Sequence, residues 1–203
     1  ERTKQLEQAK LEIIYRLGRA AEYRDNETGN HVKRVSLIAE LVARELGQDS
    51  EYCRLVQIAS PMHDIGKIGV SDTILLKPGK LTDEEFVLMQ HHVKIGAQIL
   101  SDSDSPMLQM AYEIALSHHE KYNGKGYPHG LSGEAIPLSG RIVAIADVFD
   151  ALTSERPYKR AWSIDEAVTL IEKEKGKHFD PKVVDAFFKV LPEITKIANQ
   201  FHD

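Results

Sequence analysis

The chain has 203 residues, 42% of them hydrophobic and 28% charged, with a formal net charge of −5. That length fits one domain with a sizeable core, or one domain plus a connecting arm, and the acidic balance argues against a nucleic-acid polymer as partner because phosphate-tracking surfaces are basic. No apolar run approaches the ~20 residues needed to cross a bilayer, so direct membrane insertion is not expected.

In chain order, residues 3–24 place Leu6, Ile13, Ile14, Leu17, Ala20 and Ala21 near 3.6-residue spacing and predict a helix. Its first half is the more polar, which suits either a signalling helix from an upstream domain or a frayed end. The start Glu1-Arg2-Thr3-Lys4-Gln5 is charged, unlike a signal peptide, and lacks an initiator Met, so the chain reads as a piece of a longer protein. Val32, Val35, Ile38, Leu41, Val42 and Leu46 repeat the period across 30–46, with Gly47 as the stop. A third helix is expected over 50–63. It holds Cys53, the only cysteine, which excludes an internal disulfide, suits a reducing cytoplasm and reads as filler in an apolar face.

Glycines and Pro78 mark 66–81 as a loop. Thr82-Asp83-Glu84-Glu85 is a capping box opening a helix to about Leu100. Ser105-Pro106 starts another, since proline suits a first turn, and it runs to His118-His119. Gly124, Gly126, Gly130, Gly133 and Pro137 make 121–137 a loop, followed by an apolar helix over 138–153. Ser163-Ile164-Asp165-Glu166 is a second capping box, Asp180-Pro181 starts a helix to about Val190, and Pro192 opens the last. No stretch alternates over five or more residues, so no strand is predicted. The expected fold is an all-α bundle of seven to ten helices.

His31, His63, Asp64, His92, His118, His119 and Asp147 form a nitrogen and oxygen donor set large enough for a multinuclear metal centre. Imidazole and carboxylate without thiolate suit iron, manganese or zinc. His63 and Asp64 leave a helix about 100° apart yet can converge near a helix end, and an aspartate there can bridge two ions. Two ions a few ångström apart acidify a bridging water and so supply a nucleophile without a protein serine or cysteine. Lys67, three residues beyond Asp64, points to the same side of the turn. Each residue alone has an ordinary explanation: a lone buried His is more often a hydrogen-bonded core residue, and a helix Asp a cap or surface charge. His129, His178 and His202 fall in those classes, and spacing alone does not choose between His91 and His92.

Together these residues resemble the HD-GYP family, metal-dependent phosphodiesterases acting on the bacterial messenger cyclic di-GMP. The resemblance spans nearly all of residues 20–190, with the motifs in family order. They are Glu27-Thr28-Gly29-Asn30-His31 with Arg34 a turn on, His63-Asp64, His92 with Gly96 four residues later, His118-His119-Glu120, Gly126-Tyr127-Pro128, and the run from Ile145 to Thr153 containing Asp147. The spacing to Gly96 selects His92 over His91. An HD dipeptide alone is a weak signal, whereas seven ligand-type residues in order are specific. Ser71-Asp72 stands where the family frequently has Pro-Asp, which bears on loop geometry only.

The resemblance implies an HD-domain bundle, with 1–19 as a connector from an upstream sensory domain and 20–203 as the catalytic domain. It implies two or three divalent ions, iron first and manganese as the alternative. His63 and Asp147 would hold one ion, and His92, His118 and His119 a second. Asp64 would bridge them, and Glu27 with His31 would serve an outer third. Asp64 and Lys67 would be catalytic; Lys67, Tyr127, Arg156 and Lys159 would bind substrate. Asp150, one turn from Asp147, would orient a ligand histidine or cap a neighbouring turn. The implied reaction converts cyclic di-GMP to pGpG and on to GMP in the cytoplasm. GGDEF-type proteins are expected at the Gly126-Tyr127-Pro128 loop, and a homodimer through the N-terminal helix. The competing readings are a cyclic di-GMP receptor with little turnover, an HD phosphohydrolase of another nucleotide, and a structural helical domain with no use for so many ligands.

Overall fold

Ten α-helices and three short 3-10 turns build the described residues of the computed structural model, which are 2–24, 29–155 and 160–201, and no strand forms among them. Helix α7 (Leu138–Thr153) is the axis. Its Ile142, Val143, Ile145, Ala146 and Phe149 are all fully buried, as a helix enclosed by neighbours requires. Around it pack α2 (Gly29–Glu45), α6 (Pro106–Ser117), α8 (Ile164–Lys173) and α9 (Pro181–Lys189). α3 (Ser50–Ala59) lies against α2 and α6, α5 (Asp83–Leu100) against α6, and α10 (Leu191–Gln200) against α2 and α9.

The local signals act as the sequence demands. Thr82 with Glu85 and Ser163 with Glu166 each form a reciprocal capping box, while Asp49 and Asp180 cap α3 and α9 by accepting from the N–H of Tyr52 and Lys182. Each such cap is worth about 1 kcal/mol. No described helix is long and apolar enough to cross a membrane.

Two expectations need correction. The helix expected over 50–63 leaves α geometry after Ala59, because Pro61 has no N–H to continue the ladder. A 3-10 turn, Ser60–Met62, takes over and delivers His63 and Asp64 beyond its end. The loop expected over 66–81 contains a second 3-10 turn, Ile65–Gly69, and the short helix α4 (Asp72–Leu75). Val70, Ile74 and Leu75 anchor it by burying a small apolar cluster with Leu81 and Met89. The helix expected over 3–24 forms as α1 (Arg2–Tyr23), and its apolar residues divide in two. Ile14 and Ala21 join the core, but Leu6, Ile13 and Leu17 remain 57%, 58% and 49% exposed.

One close approach sets the centre's geometry. α5 lies so near the Ile65–Gly69 turn that a Cβ on Gly66 would collide with the carbonyl of His92 and the backbone of Gly96. Paired glycines therefore bring the turn that follows Asp64 against the helix that carries His92.

Candidate metal centre

Six stretches of chain, α7 among them, converge here. α2 supplies His31, the 3-10 segment supplies His63, Asp64 and Lys67, α5 supplies His92, the end of α6 supplies His118 and His119, α7 supplies Asp147, and α1 supplies Glu22. Asp64 lies between two donor groups. Its Oδ1 is 3.3 Å from His92 Nε2 and 3.4 Å from His118 Nε2, and its Oδ2 is 3.4 Å from His63 Nε2. Ligating atoms of Asp64, His92, His118 and His119 lie within 4.8 Å of one another, and so do those of Glu22, His31 and His63. Asp147 Oδ1 faces the second group, 3.5 Å from His31 Nε2 and 3.8 Å from His63 Nε2. Lys67 Nζ donates to Asp64 Oδ2 at 2.7 Å.

The histidines are aimed. Nδ1–H of His63, His92 and His118 donates to the carbonyls of Ser60, Met89 and Ile114 at 2.8, 2.7 and 3.0 Å. That fixes the tautomer with the lone pair on Nε2. His31 is braced differently, by Asp150 Oδ2 at 2.7 Å, and Asp150 in turn receives the Arg34 guanidinium at 2.6 and 3.1 Å. Asp150 thus orients a histidine, and Arg34 is what holds Asp150.

The Nε2 atoms of His63, His92 and His118, Asp64 Oδ1 and both oxygens of Glu22 are buried without a hydrogen-bond partner. Orphaned buried polar atoms are costly unless something binds them. Six such atoms in one place, all nitrogen or carboxylate oxygen, fit divalent ions, whose bonds to these donors run about 2.0–2.2 Å.

Charge is unevenly shared. Burial opposes ionisation of Asp64, but the charges of Lys67 and His63 and the adjoining His118 and His92 outweigh it and hold the carboxyl well below its usual range. Burial lowers His118, and lowers His119 much further with help from the charges of His118 and His92. His92 is raised, because Asp64 overcomes its burial. His31 is pushed up to about 10: burial opposes the charge, but Asp150, then Glu22 and Asp147, prevail.

Tyr127 stacks on His119, ring centres 4.8 Å apart and planes 23° apart, and meets Phe86 edge-on at 6.0 Å. One face of the tyrosine is therefore taken by a histidine, which narrows its expected use as a platform for a base. Glu120 receives the N–H groups of His129 and Leu131 on its two oxygens and so pins this loop, and a Cβ on Gly126 would strike the backbone of Glu120 and Lys121. His91 and His129 are exposed, and His178 stacks on Phe179. Glu27, Arg156, Lys159 and His202 lie outside the described residues.

Glu22 is the residue the sequence reading missed. It lies eight residues after Ile14 and four after Gly18 on the inward face of α1, and a carboxylate in that register was the available signal. Arg24, two residues on, donates to the carbonyls of Lys67 and Val70 at 3.0 Å each and to that of Ile68, so the end of α1 grips the turn that carries Lys67.

An HD domain family model matches residues 17–183. The chain is 48% identical, over 97% of its length, to a cyclic di-GMP phosphodiesterase response regulator of Xanthomonas campestris. It is 49% identical, over 95% of its length, to a cyclic di-GMP phosphodiesterase of Thermotoga maritima. It covers 52% of each, so the chain spans about half the length of these curated relatives. Among solved structures it resembles a cyclic GMP-AMP-specific phosphodiesterase of Vibrio cholerae, with a TM-score of 0.64 and 20% identity over 95% of this chain and 55% of that one, a likeness that speaks to the fold.

Proposed function

The chain belongs to the HD domain family, and from that premise we propose that it is a metal-dependent phosphodiesterase that hydrolyses cyclic di-GMP to pGpG and then to GMP. The observation that carries this reading is the set of orphaned donors converging on Asp64 from separate elements. The names of the two relatives above, each a cyclic di-GMP phosphodiesterase, support the substrate.

Bound divalent ions supply an acidified water and a clamp for the phosphate oxygens. The chain supplies the rest. Backbone carbonyls hold His63, His92 and His118 with Nε2 presented. Asp64 offers one oxygen to each side of the centre. Lys67, 2.7 Å from Asp64, places its ammonium where the phosphodiester must lie and balances charge as the P–O bond breaks. Iron is our first assignment and manganese the second, both being served by imidazole and carboxylate. Glu27 extends the centre to a third ion, and Arg156 and Lys159 contact the nucleotide. GGDEF-type proteins are assigned to the loop around Tyr127, and a homodimer to the exposed Leu6, Ile13 and Leu17 of α1.

The test is a chromatographic time course on anaerobically purified protein, stripped of metal and then reloaded with iron or manganese, with cyclic di-GMP and 3′3′-cGAMP as substrates. Metal-dependent appearance of pGpG and GMP is expected. Turnover of 3′3′-cGAMP alone would reassign the substrate, and no turnover despite metal uptake would leave a receptor rather than an enzyme.

A further inference from the structure

Glu22 is 1% exposed, and neither of its carboxylate oxygens has a hydrogen-bond partner. A carboxylate left that way inside a protein is expensive, and cores admit one only where a positive group receives it. Its donor atom lies within 4.8 Å of those of His31 and His63, and Asp147 Oδ1 faces the same two imidazoles from the opposite helix. His63 Nε2 is itself buried and unpartnered. Two imidazoles flanked by carboxylates from α1 and α7 are a donor set for one divalent ion.

We infer that Glu22 is a direct ligand of the ion held by His31 and His63, so that the centre draws a ligand from α1 as well as from the helices around α7. This rests on the metal-dependent reading above and adds a residue to it. One consequence is mechanical. The helix that enters from residue 2 touches the centre twice, through Glu22 at the ion and through Arg24 on the turn carrying Lys67. A shift of α1 along its axis would then disturb an ion and the substrate lysine together.

The test counts ions rather than turnover. Wild-type protein and the Glu22→Gln and Glu22→Asp variants are stripped and titrated with manganese, then scored by elemental analysis for ions per chain and by the rise in melting temperature on loading. Glu27→Ala serves as the comparison. The expected result for Glu22→Gln is the loss of about one ion per chain, or at least about a tenfold weaker affinity for it, together with a smaller metal-induced rise in melting temperature. A purely structural role would lower the melting temperature of stripped and loaded protein alike and leave the ion count unchanged, and that result overturns the proposal. If Glu22→Gln does not fold, Glu22→Asp decides: weakened binding of one ion supports the assignment and unaltered binding overturns it. Loss of an ion from Glu27→Ala with full loading of the Glu22 variants also overturns it. Wild-type protein that takes up no ion would overturn the metal-dependent reading itself.

Discussion

The histidines on the two sides of Asp64 are made ready for an ion by different means. On one side His92 and His118 donate Nδ1–H to carbonyls of their own helices, Met89 and Ile114. On the other, His63 is braced in the same way by the carbonyl of Ser60, but His31 donates to a full carboxylate, Asp150, which Arg34 holds from behind. A carbonyl brace orients the ring and fixes its tautomer. A carboxylate brace does that and also stabilises the imidazolium, so the ring becomes a better donor to an ion but keeps its proton until one arrives. The side with His92, His118 and His119 should therefore load readily, and the side with His31 should load in exchange for a proton.

The largest expected effect removes the seam between the two sides. Asp64→Ala takes away the carboxylate that faces both donor groups. Ion content should fall on both sides, and hydrolysis should drop by more than the roughly 10–100-fold typical of residues that only support a ligand. Elemental analysis and the chromatographic assay check it together, and retention of full ion content would break the picture of a shared seam.

Asp150→Asn should spare one side and harm the other. It strips the charge from the His31 brace and leaves Arg34 buried against an amide, a loss of about 3–5 kcal/mol in stability by the usual cost of breaking a buried pair. The ion beside His31 should bind about 10–100-fold more weakly, while the ion beside His119 is retained. Denaturant unfolding and metal titration measure the two effects. Equal weakening of both ions would show that the two sides are not separable.

The contrast can also be read from pH. To ligate, His31 must give up a proton from a ring pushed up to about 10, so affinity on that side should fall about tenfold for each unit the pH drops below that value. The lowered His118, His119 and Asp64 are already in ligating form at neutral pH, and only the raised His92 adds a slope there. Manganese titrations at pH 6, 7, 8 and 9 should show one ion binding at the lower pH values and another entering only as the pH rises further. In stripped protein the sign runs the other way: the folded-state pKa of His31 exceeds its unfolded value of about 6.5, so its stabilisation is present below that value and lost as pH rises towards about 10. Ions that load with one common pH profile would refute the distinction.

Much of this was legible in the sequence, and the failures have physical causes. His63-Asp64, His118-His119 and Asp147 stand out because tandem ligand residues serve no ordinary core. The choice of His92 over His91 rested on Gly96, and the structure supplies the reason: Gly96 and Gly66 let α5 and the Ile65–Gly69 turn touch, which leaves His92 buried beside Asp64 and His91 exposed. Helix starts were readable from Thr82, Ser163 and Asp180, whose caps are local chemistry. Glu22 was missed because it carries no motif and, read alone, is one more charge on a polar helix; its meaning depends on α1 turning that face inward. The same limit applies to Leu6, Ile13 and Leu17: helical spacing predicts the helix but does not say which of its apolar residues the core covers, and these three remain exposed.

The smallest effect concerns a histidine with no brace at all, and it isolates what burial alone does. His178 stacks on Phe179 at 4.3 Å with planes 8° apart. Burial, aided by the charge of Lys121, depresses it to about 4. Its folded-state pKa is thus below the unfolded value near 6.5, and for a base that means the unfolded chain takes up the proton first. Stability is full above about 6.5 and declines as pH falls towards about 4, by about 1–2 kcal/mol once partial exposure of the ring is allowed for. His178→Gln should flatten that decline in urea unfolding of stripped protein between pH 7 and 4.5 while leaving the alkaline loss assigned to His31 in place. If the acid decline persists unchanged, it belongs to His118 and His119, which burial likewise holds below the unfolded value so that the unfolded chain protonates first; Asp150 and Asp64, held below the usual carboxylate range, lose their stabilising charge only at lower pH. The side of the centre that holds its histidines neutral would then govern the acid limb of stability as well as load without giving up a proton there.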